Sequence, residues 1–580
     1  MYRMKRPDNK EKGVLLPVFS LPSKYGMGCF SREAKEFIDW LKETGHTYWQ
    51  ILPLNPTGMA DSPYQPLSSF AGNAYYIDPE QLMEQGLIAP EELEGFEFGG
   101  DPSRVEYETL YETRLRMLRL AHRRFTAQRQ VMALQRAVLG ITTLGESGGK
   151  PEGAAAGTSD NAVTDEGAAG AIDGTDSNAE YSEFRSDSID PYERYLADNV
   201  SWLKEYALFM ALREEYGKEL SWDDWPDSLR CRDAKAVEEA RETYAEDIDF
   251  YRWTQYEFYR EWGDLKAYAN RAGIKIFGDM PIYVSYDSAD CWANPEMFQL
   301  DGDRKMTRIA GVPPDDFAGE GQLWGNPLYD WDKMKEDGYA WWISRIRQSF
   351  VLYDVIRLDH FRGYEAYYSC DADAINGRDG IWHQGPGMEL FRQLEQVLGI
   401  DSVSDLFVAE DLGCLTEGVY QLLRETGFPG TKVLQFAFDN DPNNPYLTEN
   451  YTENCVVYTG TYDNDTTAGW FRTLSGDAQA GILQYLGLSA EEAWKLVLEH
   501  DASLKKRAAG AEGTADTAAP EDPAILATDL LIRRAMDSRA KIAIIPLQDY
   551  LHLGSEARTN TPGTIVNNWC WRMTALPGQI

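Results

Sequence analysis

The feature that most constrains this chain is a regular alternation of short apolar segments with helical segments. The apolar segments are rich in β-branched residues, and each closes on polar residues. They are GVLLPVF (13–19), YWQILPL (48–54), IKIFGDMPIYV (274–284), VIRLDHF (355–361), LFVAEDLG (406–413), KVLQFAF (432–438), CVVYTGTYDND (455–465) and IAIIPLQDYL (542–551). Between the first two, Phe37, Ile38 and Leu41 repeat at helical spacing before a glycine. Strands that alternate with helices predict an α/β fold whose parallel strands are joined by crossover helices.

The number of apolar segments points to a closed barrel. Eight parallel strands close a (β/α)8 TIM barrel, which buries both faces of every strand and accounts for the nearly continuous apolar runs. A doubly wound open sheet is the alternative, but no G-x-G-x-x-G motif follows the first strand to support it. We therefore expect residues 1–580 to form a single (β/α)8 catalytic domain with helical insertion subdomains.

Two stretches of the chain are predicted to be insertions. The gap between the second and third strands is too long for a loop, so we expect residues 90–270 to form a largely helical insertion. Within it, residues 143–188 are rich in Gly, Ala, Ser and Asp and predict a flexible low-complexity segment. Residues 508–524 have a similar composition and predict a smaller flexible surface loop.

Charge and composition exclude several classes of partner. The chain has 580 residues and a net charge of −38, which argues against nucleic acid because phosphate binding needs a basic surface. No apolar run approaches the roughly 20 residues of a membrane span, and no apolar h-region follows the basic start. We expect a cytoplasmic protein with no nucleic acid or membrane partner, either a monomer or a homodimer.

Cysteine, histidine and aromatic residues bear on the kind of ligand. The 7 cysteines are scattered and the histidines number only 6, so we predict neither a disulfide framework nor a metal site. Aromatic residues make up 12% of the chain. Aromatic side chains stack on the apolar faces of sugar rings, while carboxylates and amides bind sugar hydroxyls. An acidic chain rich in aromatic residues therefore suits a carbohydrate ligand.

The polar residues at the strand ends suggest the chemistry. In a barrel, the carboxyl ends of all strands meet on one face, so Asp279, Asp359, Glu410 and Asp463 are predicted to converge there. Paired carboxylates without a metal or cofactor motif suit glycosidic bond cleavage. Arg357 points to the same strand face as Asp359 and would keep that carboxylate ionised. We therefore predict Asp359 as the nucleophile and Glu410 as the acid/base.

The sequence closely resembles a known family. RLDHFRG (357–363), AEDLG (409–413), GDMPIYV (278–284) and TYDND (461–465) are similar to the four signature regions of the amylomaltases, which are 4-α-glucanotransferases related to the α-amylases. Further matches are SPYQPLSSFAGN (62–73), GVPPDDFAGEGQLWGNPLY (311–329) and RTNTPGT…NNWCWR (558–572). The resemblance runs from about Gly13 to Arg572, interrupted by the predicted insertions.

The resemblance implies a function and a set of site residues. It implies a retaining (β/α)8 enzyme without organic cofactor that acts on maltooligosaccharides and α-1,4-glucans. Asp359 would form the covalent glucosyl-enzyme, Glu410 would be the general acid/base, and Asp463 would bind the 2- and 3-hydroxyls of the sugar. The other implied site residues are Arg357 and Asp279 as supports, and Tyr64, Phe317, Gln322, Trp324, Asn326, Tyr462 and Asn464 as substrate contacts. The family has a mobile loop over the cleft in 311–329.

The chain departs from the family pattern at Tyr462, where the family usually has a histidine that hydrogen-bonds the sugar. Loss of that histidine would lower the rate by about an order of magnitude or more, although the tyrosine hydroxyl offers a substitute. Two other readings stay open. An α-amylase-type hydrolase would use the same catalytic residues, with water attacking the intermediate. A catalytically weakened α-glucan-binding protein is the non-enzymatic alternative.

Overall fold

A computed structural model describes residues 10–138, 190–314, 319–413, 415–508 and 522–579. These residues form twelve β-strands in two sheets. The strands are β1 (Glu11–Leu15), β2 (Tyr48–Gln50), β3 (Lys275–Met280), β4 (Arg308–Val312), β5 (Gln322–Pro327), β6 (Val355–Leu358), β7 (Ala366–Asp371), β8 (Ile381–Gln384), β9 (Phe407–Ala409), β10 (Gly430–Val433), β11 (Cys455–Tyr458) and β12 (Ile542–Pro546).

Eight of the strands close a parallel barrel in the order β1-β12-β11-β10-β9-β6-β3-β2. Closure is direct, because β1 pairs in parallel with both β2 and β12. Each of the eight predicted apolar segments overlaps one barrel strand, and most strand residues are buried. The predicted (β/α)8 barrel is confirmed, and the open-sheet alternative is wrong because the first and last strands are hydrogen-bonded to each other.

The second sheet was not predicted. It is a four-stranded antiparallel sheet in the order β5-β4-β7-β8. Its first pair lies between barrel strands β3 and β6 in the chain, and its second pair lies between β6 and β9. Within the 311–329 segment, where a loop over the cleft is expected, residues 311–312 and 322–327 therefore belong to two paired strands.

Helices surround the barrel and fill the long connection between β2 and β3. They are α1 (Arg32–Glu43), α2 (Pro79–Glu84), α3 (Pro90–Leu93), α4 (Tyr107–Val138), α5 (Pro191–Asp198), α6 (Val200–Tyr216), α7 (Asp227–Arg230), α8 (Ala234–Thr243), α9 (Ala245–Arg271), α10 (Ala289–Ala293), α11 (Trp331–Glu336), α12 (Ala340–Leu352), α13 (Arg362–Glu365), α14 (Met388–Leu398), α15 (Glu417–Thr426), α16 (Thr467–Thr473), α17 (Gly476–Tyr485), α18 (Ala490–Ala508), α19 (Pro523–Asp537) and α20 (Leu547–Tyr550). None of the helices in the described ranges has the length and apolar character needed to cross a membrane.

The long helix α9 joins the β2–β3 connection to the barrel. Its Trp253, Phe258 and Trp262 are fully buried, and the Trp262 indole donates a hydrogen bond of 3.0 Å to the backbone oxygen of Leu352 at the end of α12. Burial of each such aromatic side chain removes about 150–250 Å² from water. The helices α3 to α9 lie where the helical insertion is predicted, while residues 143–188 and most of 508–524 lie outside the described residues. The proposed division into domain and insertions stays a prediction.

Candidate active site

The predicted site residues lie at the carboxyl ends of four barrel strands. Asp279 is near the end of β3 and Arg357 lies within β6. Asp359 follows β6 directly, Glu410 follows β9 directly, and Asp463 follows β11 after a short turn. Arg357, Asp359, Glu410 and Asp463 line one open cleft. The convergence expected from the barrel topology is therefore present in the structure.

Arg357 is the centre of the hydrogen-bond network. Its Nη1 lies 3.0 Å and 2.8 Å from the two carboxylate oxygens of Asp279, and 2.8 Å from Oδ1 of Asp359. The side chains of Arg357 and Asp279 are 5% and 0% exposed, whereas that of Asp359 is 25% exposed. The guanidinium thus joins the buried carboxylate of Asp279 to that of Asp359. Of these two carboxylates, only that of Asp359 is accessible from the cleft.

Glu410 is held in a different environment from Asp359. Its two carboxylate oxygens accept hydrogen bonds from the backbone N–H groups of His360 (2.9 Å) and Leu412 (2.8 Å). Burial raises the pKa of Glu410 to about 7, and the nearby negative charge of Asp359 adds to this, while the positive charge of Arg357 and the two hydrogen bonds oppose it. A carboxyl group with this pKa can both give and take a proton near neutral pH.

Asp463 has two hydrogen-bond partners that the sequence did not indicate. Asn560 donates a hydrogen bond of 2.6 Å to its Oδ1, and Arg558 donates one of 2.7 Å to its backbone oxygen. Burial raises the pKa of Asp463 to about 6, and the Asn560 hydrogen bond opposes that rise. Both residues belong to the RTNTPGT motif, which resembles a segment of the family. The signal was therefore in the sequence, but nothing in it indicated which carboxylate these residues contact.

Three aromatic rings pack together on the Arg357 side of the cleft. Tyr64 stacks on Tyr462 with ring centroids 5.2 Å apart, and Trp569 lies 5.7 Å and 6.0 Å from these two rings. The Tyr64 hydroxyl donates to Asp279 at 2.9 Å, and the Tyr462 hydroxyl accepts from Nη1 of Arg357 at 3.2 Å. Because the Tyr462 oxygen accepts from Arg357, its own proton is directed elsewhere.

The second sheet supplies several of the predicted contact residues. Gln322, Trp324 and Asn326 lie on β5 and line the cleft. The Trp324 ring meets that of His360 edge-on, with centroids 4.8 Å apart, and its indole N–H donates to Gln322 at 3.1 Å. Asn326 is buried, and its side-chain amide donates a hydrogen bond of 2.8 Å to the backbone oxygen of Val284. This hydrogen bond holds β5 in place. Phe317 lies outside the described residues.

The remaining polar residues at the strand ends differ in what they contact. Asn464 lines the cleft, but its Oδ1 accepts from the backbone and hydroxyl of Thr461 at 2.8 Å and 2.9 Å. Its amide nitrogen is therefore the end that a ligand would meet. Asp411, which follows Glu410, accepts from the backbone of Thr431 and lies 3.5 Å from Nζ of Lys432. Asp411 thus joins neighbouring strand ends outside the Arg357 network.

The cleft is large enough for an extended ligand. Its volume is about 1530 Å³, whereas pockets that bury one small ligand enclose roughly 300–1,000 Å³. Its lining combines carboxylates and amides with Tyr64, Trp324, Trp382 and Trp569. Polar groups set among aromatic rings match the amphipathic surface of sugars. The fold and the site together define a (β/α)8 barrel enzyme of the glycoside hydrolase kind.

Comparison with known proteins identifies the family. Residues 16–137 and 175–577 match the sequence profile of glycoside hydrolase family 77, described as 4-alpha-glucanotransferase. The chain belongs to this family, as its motifs predicted. The 4-alpha-glucanotransferase of Thermus thermophilus is 40% identical over 570 residues, which cover 98% of this chain and 95% of the relative. That of Streptococcus pneumoniae is 38% identical over 97% of this chain and 93% of the relative.

A solved structure supports the same assignment. An amylomaltase from Streptococcus agalactiae in complex with acarbose is 33% identical, with a TM-score of 0.78 over 97% of this chain and 95% of the relative. An amylomaltase from Corynebacterium glutamicum, at 18% identity and a TM-score of 0.65, shares the fold over 97% of this chain and 71% of its own length. The sequence and structure comparisons agree that the chain is a 4-alpha-glucanotransferase, which confirms the expected class of enzyme.

Proposed function

We propose that this 4-alpha-glucanotransferase moves α-1,4-linked glucosyl segments between maltooligosaccharides or glucans by a retaining mechanism through a covalent intermediate. The observation that carries the proposal is the position of Arg357, which bridges the buried Asp279 and the accessible Asp359. The guanidinium holds the Asp359 carboxylate by a charge-assisted hydrogen bond of 2.8 Å. Of the two carboxylates, only that of Asp359 is accessible to a substrate in the cleft.

In the first step, the Asp359 carboxylate attacks the anomeric carbon as the bond to the leaving sugar breaks. The electron pair of that bond moves to the glycosidic oxygen, which takes the proton from Glu410. The raised pKa of Glu410 supports this role, because a substantial fraction of the carboxyl group still carries its proton near pH 7. The product of this step is a glucosyl-enzyme ester on Asp359 and an ionised Glu410.

In the second step, a hydroxyl group of an acceptor sugar attacks the ester from the side that the leaving sugar vacated. Glu410 takes the hydroxyl proton, the new glycosidic bond forms, and the Asp359 carboxylate is released. Two inversions at the anomeric carbon retain its configuration. Each catalytic group therefore returns to its starting state after one transfer.

Asp463, Tyr64 and Tyr462 would act on the sugar that is transferred. Asp463, fixed by Asn560, would accept hydrogen bonds from neighbouring hydroxyls as the ring flattens. Tyr64 would pack against the apolar face of that sugar. The Tyr462 hydroxyl already accepts a hydrogen bond from Arg357, so its proton is available to a sugar oxygen. This arrangement would replace the hydrogen bond of the usual family histidine.

Transfer rather than hydrolysis requires that an acceptor sugar competes successfully with water. The aromatic lining of the cleft supports transfer, because it binds an acceptor and holds its hydroxyl close to the intermediate. The complex of the related amylomaltase with acarbose supports a carbohydrate ligand. These observations favour a transferase over an α-amylase-type hydrolase and over a weakened binding protein.

The test is incubation of the purified protein with maltotriose alone, followed by chromatography of the products over time. We expect glucose together with a ladder of longer maltooligosaccharides, because hydrolysis cannot lengthen a chain. Glucose and maltose without longer products would assign a hydrolase. Binding of maltotriose without any product would indicate a catalytically weakened α-glucan-binding protein.

A further inference from the structure

One tryptophan of the cleft lining, Trp382, lies outside the sequence motifs that match the family. Trp382 belongs to β8, an edge strand of the four-stranded sheet, and lines the same cleft as Asp359 and Glu410. Its side chain is 37% exposed. An exposed indole in a cleft beside a reactive site offers an apolar ring face to a sugar.

The Trp382 ring is held in place by two neighbours. The Arg362 guanidinium carbon lies 3.9 Å from the ring centroid. Tyr368 is directly opposite on β7, and the two ring centroids are 5.0 Å apart. These contacts restrict the indole while more than a third of it stays open. A ring fixed in this way loses little conformational entropy when a ligand stacks on it.

The position of Trp382 along the cleft follows from its contact with Arg362. Arg362 begins α13, three residues after Asp359, and the intervening segment runs alongside Glu410. The backbone N–H of His360 donates to the Glu410 carboxylate at 2.9 Å, and that of Phe361 donates to the Glu410 backbone oxygen at 3.1 Å. Through Arg362, Trp382 is thus next to the segment that is hydrogen-bonded to Glu410.

The stacked rings of Tyr64 and Tyr462 lie at Asp279 and Arg357. In the proposed function, on which this inference rests, the acid/base exchanges its proton first with the leaving sugar and then with the acceptor. Both sugars therefore bind on the Glu410 side, which is the side of Trp382.

Trp382 does not duplicate Trp324. The two tryptophans lie on β5 and β8, the two outer strands of the sheet order β5-β4-β7-β8. Three strand spacings of about 4.8 Å separate these edges by roughly 14 Å. The Trp324 ring contacts that of His360, directly beside Asp359. The Trp382 ring contacts Arg362 and Tyr368 instead, so the two indoles offer separate surfaces to a bound chain.

We propose that Trp382 is a sugar-stacking residue of the acceptor side, which contacts a glucosyl unit beyond the one next to the reacting bond. It thereby sets the preference of the enzyme for acceptors longer than a single glucose. Glucose as acceptor does not reach this ring, whereas maltotriose does.

The experiment measures transfer from amylose to glucose and to maltotriose by wild-type protein and by Trp382→Ala. Loss of an aromatic stacking contact is expected to raise the KM for maltotriose about tenfold. The KM for glucose and both kcat values should stay within about twofold of wild type. Trp382→Phe should recover much of the loss, because it restores an aromatic face.

A matched control is available on the surface. Trp494 on α18 is also 37% exposed and is not among the cleft residues, so Trp494→Ala should change neither KM. An unchanged KM for maltotriose in Trp382→Ala, or equal changes for both acceptors, would overturn the proposal.

Failure of the proposed function would be recognised separately, because wild-type protein would then transfer to neither acceptor. In that case, calorimetry with maltoheptaose on Asp359→Asn, with and without Trp382→Ala, decides the question. About tenfold weaker binding in the double variant supports a stacking site at Trp382, and equal binding refutes it.

Discussion

Replacement of Asn560 by alanine should change the pH dependence of transfer more than its maximal rate. Asn560 is 9% exposed, and its amide donates a hydrogen bond of 2.6 Å to Oδ1 of Asp463. This bond favours the ionised form of Asp463, whose pKa burial raises to about 6. Removal of the amide withdraws that support, so the pKa of Asp463 should rise further.

The size of the effect follows from the energy of one charge-assisted hydrogen bond. Such a bond contributes about 1.5 kcal/mol, which corresponds to roughly one pKa unit. The pKa of Asp463 should therefore move from about 6 to about 7. If transfer requires ionised Asp463, the variant should lose about fivefold in kcat/KM at pH 6 and less than about 1.2-fold at pH 8.

The assay is the initial rate of maltotriose disproportionation between pH 5.5 and 8.5, expressed as the ratio of variant to wild type. Asn568→Ala is the control, because this asparagine binds the backbone of Thr561 and Thr564 in the same loop and does not contact Asp463. A loss that is the same at every pH would refute the reasoning, and so would an equal shift in the control.

Three further predictions concern the nucleophile, the departure from the family and the barrel core. Asp359→Asn should abolish turnover and retain maltooligosaccharide binding in calorimetry, and retained turnover would exclude Asp359 as the nucleophile. Tyr462→Phe removes a hydroxyl that lies 3.2 Å from Arg357, and we expect a roughly tenfold lower kcat with little change in KM, whereas an unaltered kcat would show that the hydroxyl has no part in transfer. Gly278→Ala would place a methyl carbon 2.1 Å from the Tyr353 ring. It should lower the free energy of unfolding by about 1–3 kcal/mol in denaturant titrations, and wild-type stability would mean that the ring moves aside freely.

The barrel could be predicted from the sequence because its strands have a local signature. Segments such as IAIIPL and CVVY are buried on both faces and read as uninterrupted apolar runs. Their polar ends predicted where Asp359 and Glu410 would meet. The second sheet has no such signature, because β5 contains Gly325 and Pro327 and β8 is largely exposed. Its strands exist through pairing with segments far along the chain, which a local pattern does not reveal.

Contacts between distant segments also explain which parts of the site could not be predicted from the sequence. Motif matches located the carboxylates, but the hydrogen bonds of Asn560 to Asp463 and of the His360 backbone to Glu410 connect residues 97 and 50 positions apart. Trp382 lies at the cleft only because β8 pairs with β7. Contacts of this kind depend on the closed barrel and its attached sheet, so they became visible only in the folded structure.

The environment of Glu410 links catalysis to stability. The pKa of its carboxyl group is near 4.5 without the protein and about 7 within it, so the folded state binds its proton more tightly than the unfolded state. The stability that this provides is fully present below about pH 4.5 and is lost as the pH rises through about 7. The N–H groups of His360 and Leu412 limit this loss because they stabilise the anion. His360 does so from a left-handed backbone conformation with φ of 48°, a strained geometry of the kind found at functional sites. The fold thus keeps a costly buried acid at the cleft, and the proposed proton transfer gives a physical reason for retaining it.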